Sequence, residues 1–434
     1  MNISEYVVKK YKKFDYIAAN HIISKSNQIR FANSDISISK EWNQNFLSIF
    51  LSKDGKTIST TVDNPTKEKI NRVLKKSIKL MKFLKKNENF YKLARGPFKY
   101  RKSKPDKKIL NSEFDDLDII EASINSAREN GGKKCAGTLL KSSTKENLCT
   151  SEKVECSSES TNISLSLRAL AEKEGSGHDV ACSSKTSGIH PEDVGKHAGE
   201  IAKLSKNPVE GKKGKYNIFF DPVAFSDLLS NIGEASSASS VEAGLSFLAN
   251  KIGKKIASKK VSIYDDGRNG FSSRIFDAEG VPVKKTCIIK EGMLKTYLHN
   301  TSTAKRFKTK TTGNAGIIYP TPWSVVLQPG RKSKEKIISS IDSGVYVTNI
   351  WYTRFQNYFT GDFSTIPRDG IFLIKNGEIV KSLKNIRISD NMINILKNIT
   401  QISNHAKNVY TWETSTPVFT PYVLAKDITV TKPV

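Results

Sequence analysis

The chain has 434 residues, 37% of them hydrophobic, and a formal net charge of +27, enough length for two or three domains with a substantial core. No apolar run approaches the ~18 residues needed to span a bilayer. The start, MNISEYVVKKYKKFDY, lacks the apolar centre of a signal peptide, so a cytoplasmic protein without membrane contact is expected. Five cysteines, at 135, 149, 156, 182 and 287, show no CxxC spacing, which argues against a zinc ribbon or redox dithiol. The positive field attracts polyanions, but no nucleic-acid-binding motif accompanies it, and nucleic acid is not expected as the specific partner.

Taken in order, Gln28–Ala32, Phe46–Leu51 and Thr57–Val62 read as short strands, the last two joined at Asp54-Gly55. Asn64 and Pro65 suit the start of a helix whose apolar stripe is Ile70, Val73, Leu74, Ile78, Met81 and Leu84. Its other face carries Lys75, Lys79 and Lys82. The basic segment 67–108 interleaves Phe90, Tyr91, Phe98 and Tyr100 with its charges. That pattern suits either a polyanion-binding face or a solvated helix followed by a loop whose rings pack locally. A second helix is expected over Glu113–Asn130, ending at Gly131-Gly132. Cys135–Lys141, Leu148–Cys156 and Asn162–Leu170 read as strands, Gly175–Gly177 as a turn, and Pro191 opens a helix over Glu192–Leu204. The Gly/Lys-rich stretch Gly211–Lys215 marks a boundary, giving domains 1–210 and 211–434.

The second half begins with a strand at Tyr216–Phe220 and a helix from Pro222, interrupted by Ser236–Ser240 before another helix over Val241–Lys254. Pro322–Leu327 and Val345–Tyr352 read as strands, with a short helix at Ser333–Ile341 between them. Asn376-Gly377 is the strongest hairpin signal. Asp390 is placed to cap a helix through about Ile402, and Pro417–Val430 alternates as a final strand. The fold class expected is α+β: two domains, each of mostly antiparallel sheet with packed helices.

Between Val261 and Asn314 lies the densest stretch of motifs. A β-run ends in the acidic pair Asp265-Asp266. Phe276-Asp277-Ala278-Glu279-Gly280 follows, then a hairpin turning at Glu291-Gly292, then Thr303-Ala304 and Gly313-Asn314. Further on stands Thr360-Gly361-Asp362-Phe363-Ser364. Each motif alone is weak, but their order resembles the TldD/PmbA family, formerly called modulators of DNA gyrase. Ala278 departs from it, where the family often has a second acidic residue. Asp265, Asp266, Asp277, Glu279, Gly280, Gly313, Asn314, Gly361 and Asp362 are therefore the candidate site residues. Asp265, Asp266, Asp277 and Glu279 could form an acid pair or cation site, but capping backbone N–H groups to fix turns is the expected role.

The resemblance implies two kinds of subunit. TldD-like members are zinc metalloproteases with a helical His-Glu-x-x-x-His motif and a cysteine near the C-terminus. PmbA-like members, also called TldE, lack these ligands and pair with a TldD-like subunit. Here the positions after Leu228-Leu229 are Ser230, Asn231, Ile232, Gly233, Glu234 and Ala235; no histidine lies between His197 and His299, and no cysteine follows Cys287. His178, Cys182, His190 and His197 could be drawn as a substitute site but match no metal motif. No GxSxG elbow suggests serine catalysis. The reading is a catalytically inert PmbA/TldE-like subunit, without a cofactor of its own. Zinc is expected in a TldD-like partner, or a homodimer in its absence, and the pair would act on peptides. The alternatives are a nucleic-acid-associated basic protein or a self-sufficient peptidase or hydrolase with an unrecognised site. Whether 67–108 forms one exposed face discriminates the nucleic-acid alternative.

Overall fold

The structure is a computed structural model that describes residues 2–316 and 318–432. Its frame is two sheets. The first is wholly antiparallel, built from β1 (Tyr16–Ala32), β2 (Asp35–Lys53), β3 (Lys56–Asp63), β4 (Lys134–Thr150), β5 (Glu155–Leu170) and β6 (Ser176–Ser183) in spatial order β3-β2-β1-β4-β5-β6. The strands alternate strictly where they are covered: Ile163, Leu165, Leu167 and Ala169 of β5 point inward with Ile120, Ile124, Val194 and Ala198 of the helices Asp116–Glu129 and Pro191–Leu204. The second sheet is twelve-stranded and mixed. At its centre the last strand, Val418–Thr431, runs antiparallel to Gly214–Phe220, which pairs in parallel with Ser343–Asn357. The helix Pro222–Ala235 lies on this sheet and is buried on nearly all sides, with Phe225, Leu228, Leu229 and Ile232 in the main core.

Several elements differ from the sequence reading. β1 and β2 run much longer than the short strands read at Gln28–Ala32 and Phe46–Leu51, because ladder pairing carries them through polar stretches with no apolar period. Thr66, not Asn64, caps the helix Lys67–Met81; Asn64 has a left-handed φ of 42°. The helix read from Glu113 begins at Asp116, capped by Asp115. The run Leu148–Cys156 is not one strand: it crosses the β4–β5 turn, with Lys153 at φ 60°. Gly177 sits inside β6 rather than in a turn, and an added Cβ would stand 2.1 Å from the Ala198 carbonyl oxygen. No long helix forms over Val241–Lys254. It stops at Glu242, and Gly244, Asn250 and Gly253 all take positive φ. Asn391, not Asp390, caps a helix that ends at Asn398, and Ile399–Val409 turns to strand.

The basic segment 67–108 does not form one face. Its helix Lys67–Met81 packs on β3, residues 82–106 contain no helix or strand, and the short helix Lys107–Asn111 sits against β4 and β5. Those sites are separated by β2 and β1, a distance on the order of 15–20 Å at ~4.8 Å per strand. The crossing piece is anchored by Phe90 against Tyr16 and Phe50, and by Tyr100 against Phe276. No helix among the described residues is long and apolar enough to cross a membrane.

Candidate functional site

The motif residues gather into one hydrogen-bonded node. Asp265 ends a short strand (Ile263–Asp266) and is fully buried. Its carboxylate accepts from Asn314 Nδ2 at 2.6 Å, Trp323 N at 2.7 Å and Ser324 N at 2.9 Å. Burial pushes its carboxyl up to about 6 against those three donors. Asp277 accepts from the backbone N–H groups of Glu279, Val281 and Ala315 at 3.0, 2.9 and 2.9 Å. Glu279 accepts from Thr301, at the start of the helix Thr301–Arg306. Burial raises the carboxyls of Asp277 and Glu279, and the charge of Asp277 raises that of Glu279 further. Gly280, at φ 80°, gives its carbonyl to Tyr100 Oη at 2.8 Å, and Gly313, at φ 73°, gives its own to Trp323 Nε1 at 2.8 Å. Asp266 is apart from the node and binds its own turn through Arg268 Nε at 3.0 Å and Asn269 at 3.2 Å.

Gly361 and Asp362 lie elsewhere. Gly361 takes φ 87° and packs on Phe247, and exposed Asp362 accepts from Asn391 Nδ2 at 2.8 Å. Lys75, Lys79 and Lys82 are solvent-exposed near the β3 edge. The carboxylates of the node thus close loops; they do not converge on a cleft.

The cleft nearest the helix Pro222–Ala235 holds about 290 Å³ and lies between the sheets. β4 and β5 give it Leu140, Ser142, Asn162 and Ser164, and the rest of the lining is Phe271, Ser272, Arg274, Pro322, Trp323, Tyr410 and Ser415–Pro417. Behind Ser415 stands the helix. Ser230 Oγ lies 3.1 Å from Ser415 Oγ and accepts from Thr416 N at 3.1 Å. Glu234 accepts from Ser415 Oγ at 3.0 Å and Thr416 Oγ1 at 2.8 Å. Two turns earlier, buried Asp227 accepts from Asn231 Nδ2 at its backbone carbonyl, 2.9 Å, and at Oδ1, 3.0 Å, and leaves its second carboxylate oxygen without a partner among the described residues. Burial lifts its carboxyl to about 7, with Thr353 and Asn231 pulling the other way.

Zinc, which the resemblance associates with this helix, does not fit these residues. It needs several deprotonated nitrogen, sulfur or carboxylate donors around one point. Ser230, Asn231 and Ala235 offer none; of the helix's two carboxylates, Glu234 is engaged with the last strand's lead-in, and Asp227 is buried beside Asn231 with no histidine or cysteine on the helix to join it. Among the described residues no group of three or more His, Cys, Asp or Glu is placed to hold a metal. The four residues drawn as a substitute site serve other contacts. His178 is buried between Ser166 Oγ at 2.9 Å and Asn349 Nδ2 at 3.1 Å. The Cys182 thiol faces the Tyr410 carbonyl at 3.7 Å. His197 stands 3.3 Å from Asp179 and 3.5 Å from Asp221. His190 is exposed at the rim of a separate hollow of about 540 Å³. In that hollow Lys407 and His197 hold Asp179 well below the usual carboxylate range, overcoming the burial that would raise it.

Sequence reasoning missed Asp227, Ser415, Thr416 and the Asp179–His197–Lys407 network. Asp227 carried a weak signal, a carboxylate on a helix whose surrounding residues Phe225, Leu228 and Leu229 are apolar; the others come together only through the fold.

Residues 213–432 match the family described as the PmbA/TldA metallopeptidase C-terminal domain. A metalloprotease of Methanocaldococcus jannaschii is 33% identical over 196 residues, 42% of this chain and 42% of that protein. A protein of the same organism, described as uncharacterized, is 28% identical over 309 residues, 68% of this chain and 71% of its own length. The first match therefore spans less than half of the relative. The solved structure of TldE from Thermococcus kodakarensis superposes with a TM-score of 0.86 at 23% identity, over 98% of this chain and 99% of that one, which shows the shared fold. By that family match over half its length, this chain belongs to the TldD/PmbA metallopeptidase family.

Proposed function

We propose that this chain is the metal-free companion subunit of a TldD-type zinc metalloprotease, completing a peptide cleft and stabilising the pair while the partner supplies the zinc and its ligands. The observation that carries the reading is the helix Pro222–Ala235, buried and well capped by Asp221 yet bearing Ser230, Asn231 and Ala235 where the family's metal ligands would stand. Its polar groups are spent on holding Ser415 and Thr416 at the cleft floor. A cleft that sets strand residues and hydroxyls beside the rings of Phe271, Trp323 and Tyr410 suits an extended peptide bound through its main chain with apolar side-chain contacts. Without the partner the chain would form a homodimer. Its five cysteines are free thiols, as suits the cytoplasm. The division of the basic segment between the β3 edge and the β4–β5 region weighs against the nucleic-acid alternative.

Mixing this chain with a TldD-like protein from the same cell tests the reading by light scattering after size exclusion. A stable complex of one copy of each is expected. Two peaks that never merge, at micromolar concentrations and with zinc present, would refute the partnership.

A further inference from the structure

A basic groove opens beside the cleft. The segment 270–275 separates them: Phe271, Ser272 and Arg274 line the cleft, while Gly270, Ser273 and Ile275 line the groove. β5 runs beneath both, presenting Ser158–Thr161 to the groove and Asn162 and Ser164 to the cleft. An extended chain laid along β5 would pass from one to the other within about six residues, roughly 20 Å. The groove holds about 360 Å³ and continues past Lys185 into a hollow of about 500 Å³.

Its charge is unbalanced. Lys102, Lys104, Lys107, Lys108 and Lys185 are exposed around these two hollows. None of them is in an ion pair among the described residues. The nearby carboxylates are occupied. Asp106 accepts from Lys108 N, Thr186 N and Thr186 Oγ1; Glu159 pairs with Lys145 at 3.2 Å; Asp266 pairs with Arg268. Arg101 donates to the carbonyls of Arg268 and Arg274 at 2.5 Å each, which fixes the partition between groove and cleft. Residues 102–108 and 185 lie far apart in the chain and meet only because the short helix Lys107–Asn111 docks beside β5.

We infer that this groove binds the acidic part of an extended peptide, seating Asp or Glu carboxylates on Lys102, Lys104 and Lys185. It thereby gives the neighbouring cleft a preference for peptides with acidic residues about four to six positions from the stretch in the cleft. This rests on the reading of the cleft as a peptide site. A peptide is favoured over nucleic acid because, among the described residues, no aromatic side chain lines the groove beside its lysines to stack a base; the rings Phe271, Trp323 and Tyr410 line the neighbouring cleft instead. Serine and threonine hydroxyls line it instead, beside a route continuous with the cleft.

Fluorescence anisotropy on the full chain, without any partner, tests the inference. The probes are a labelled unstructured peptide with a run of glutamates beside a Gly/Ser/Ala stretch, its glutamine counterpart, and a short oligothymidylate. At low salt the glutamate peptide is expected to bind about tenfold tighter than the glutamine one, with the margin shrinking as salt rises. The triple variant Lys102→Glu, Lys104→Glu, Lys185→Glu should lose that margin, while Lys75→Glu, Lys79→Glu, Lys82→Glu should keep it. All six lysines are exposed, so both variants should melt with the unsubstituted chain. Equal binding of the two peptides, or an undiminished margin in the groove variant, overturns the inference. So does oligothymidylate binding more tightly than the glutamate peptide through the same three lysines. Because the partner is absent, none of these results bears on whether the chain forms the protease complex.

Discussion

Asp265→Ala probes whether the acidic motif is a structural node. The change strips the acceptor from Trp323 N, Ser324 N and Asn314 Nδ2 in a site with no solvent. Each buried donor left unpaired costs about 1–3 kcal/mol, so the gross loss is about 3–9 kcal/mol. Part is returned. With its carboxyl pushed from 3.8 to about 6, ionised Asp265 carries a burial cost of about 3 kcal/mol at pH 7, which alanine does not. The net loss expected is about 3 kcal/mol. The returned part fades below pH 6, where folded Asp265 is protonated, so the variant is penalised more heavily at pH 5 than at pH 8. Asp265→Asn keeps one oxygen for the two backbone donors and should lose about 1–2 kcal/mol. Urea unfolding followed by tryptophan emission measures both, since Trp323 donates to the node. A loss below about 1 kcal/mol for the alanine variant would refute the reasoning.

Asp227, lifted by burial to about 7, lowers stability progressively as pH rises from the unfolded value near 4 toward 7, because the unfolded chain gives up its proton first. Asp227→Asn removes that term and should gain on the parent between pH 5 and pH 8, by at most about 3 kcal/mol; an equal difference at both pH values in urea unfolding contradicts it. Gly292 has φ 82°, and a Cβ there would stand 2.3 Å from the Ala257 carbonyl oxygen. Gly292→Ala should therefore cost about 2–4 kcal/mol, against about 1 kcal/mol for Gly253→Ala, whose added Cβ meets nothing within 4 Å. Thermal melts that rank the two equally would count against the packing described. Elemental analysis after dialysis should find well under one zinc per chain; one firmly held zinc would contradict the donor argument.

The parts legible in the sequence were those governed by local chemistry. Asn376-Gly377 and Glu291-Gly292 fall at hairpin turns with positive φ at both residues, as their types demand. The stripe of the helix Lys67–Met81 is its buried face as far as Met81, with Leu84 exposed beyond its end, and the buried face of Pro191–Leu204 is likewise apolar. The misread parts were decided by partners distant in sequence. Ile395, Leu396, Ile399 and Ile402 keep helical spacing, yet Ile399 leaves the helix to pair with Ala425. Leu245, Phe247 and Leu248 also look helical, but Gly244 at φ 71° and the Ser246 Oγ acceptor for Leu248 N redirect the chain. Gly177 was read as punctuation, whereas it lets β6 approach the backbone of the helix Pro191–Leu204. Of the site, the motif residues were visible by type and order. The cleft and its basic neighbour were not, because β4, β5, residues 101–108, 268–275 and 410–417 contribute to them and only the two sheets bring these together.

We propose that this chain completes a protease it cannot operate alone. The most direct measurement is cleavage of an unfolded peptide by a TldD-like protein from the same cell, with and without this chain, before and after a zinc chelator. The account predicts cleavage only when both chains are present, abolished by the chelator and restored by zinc, with this chain alone inert throughout. Full activity of the TldD-like protein without it, or chelator-resistant proteolysis by this chain alone, would contradict the account.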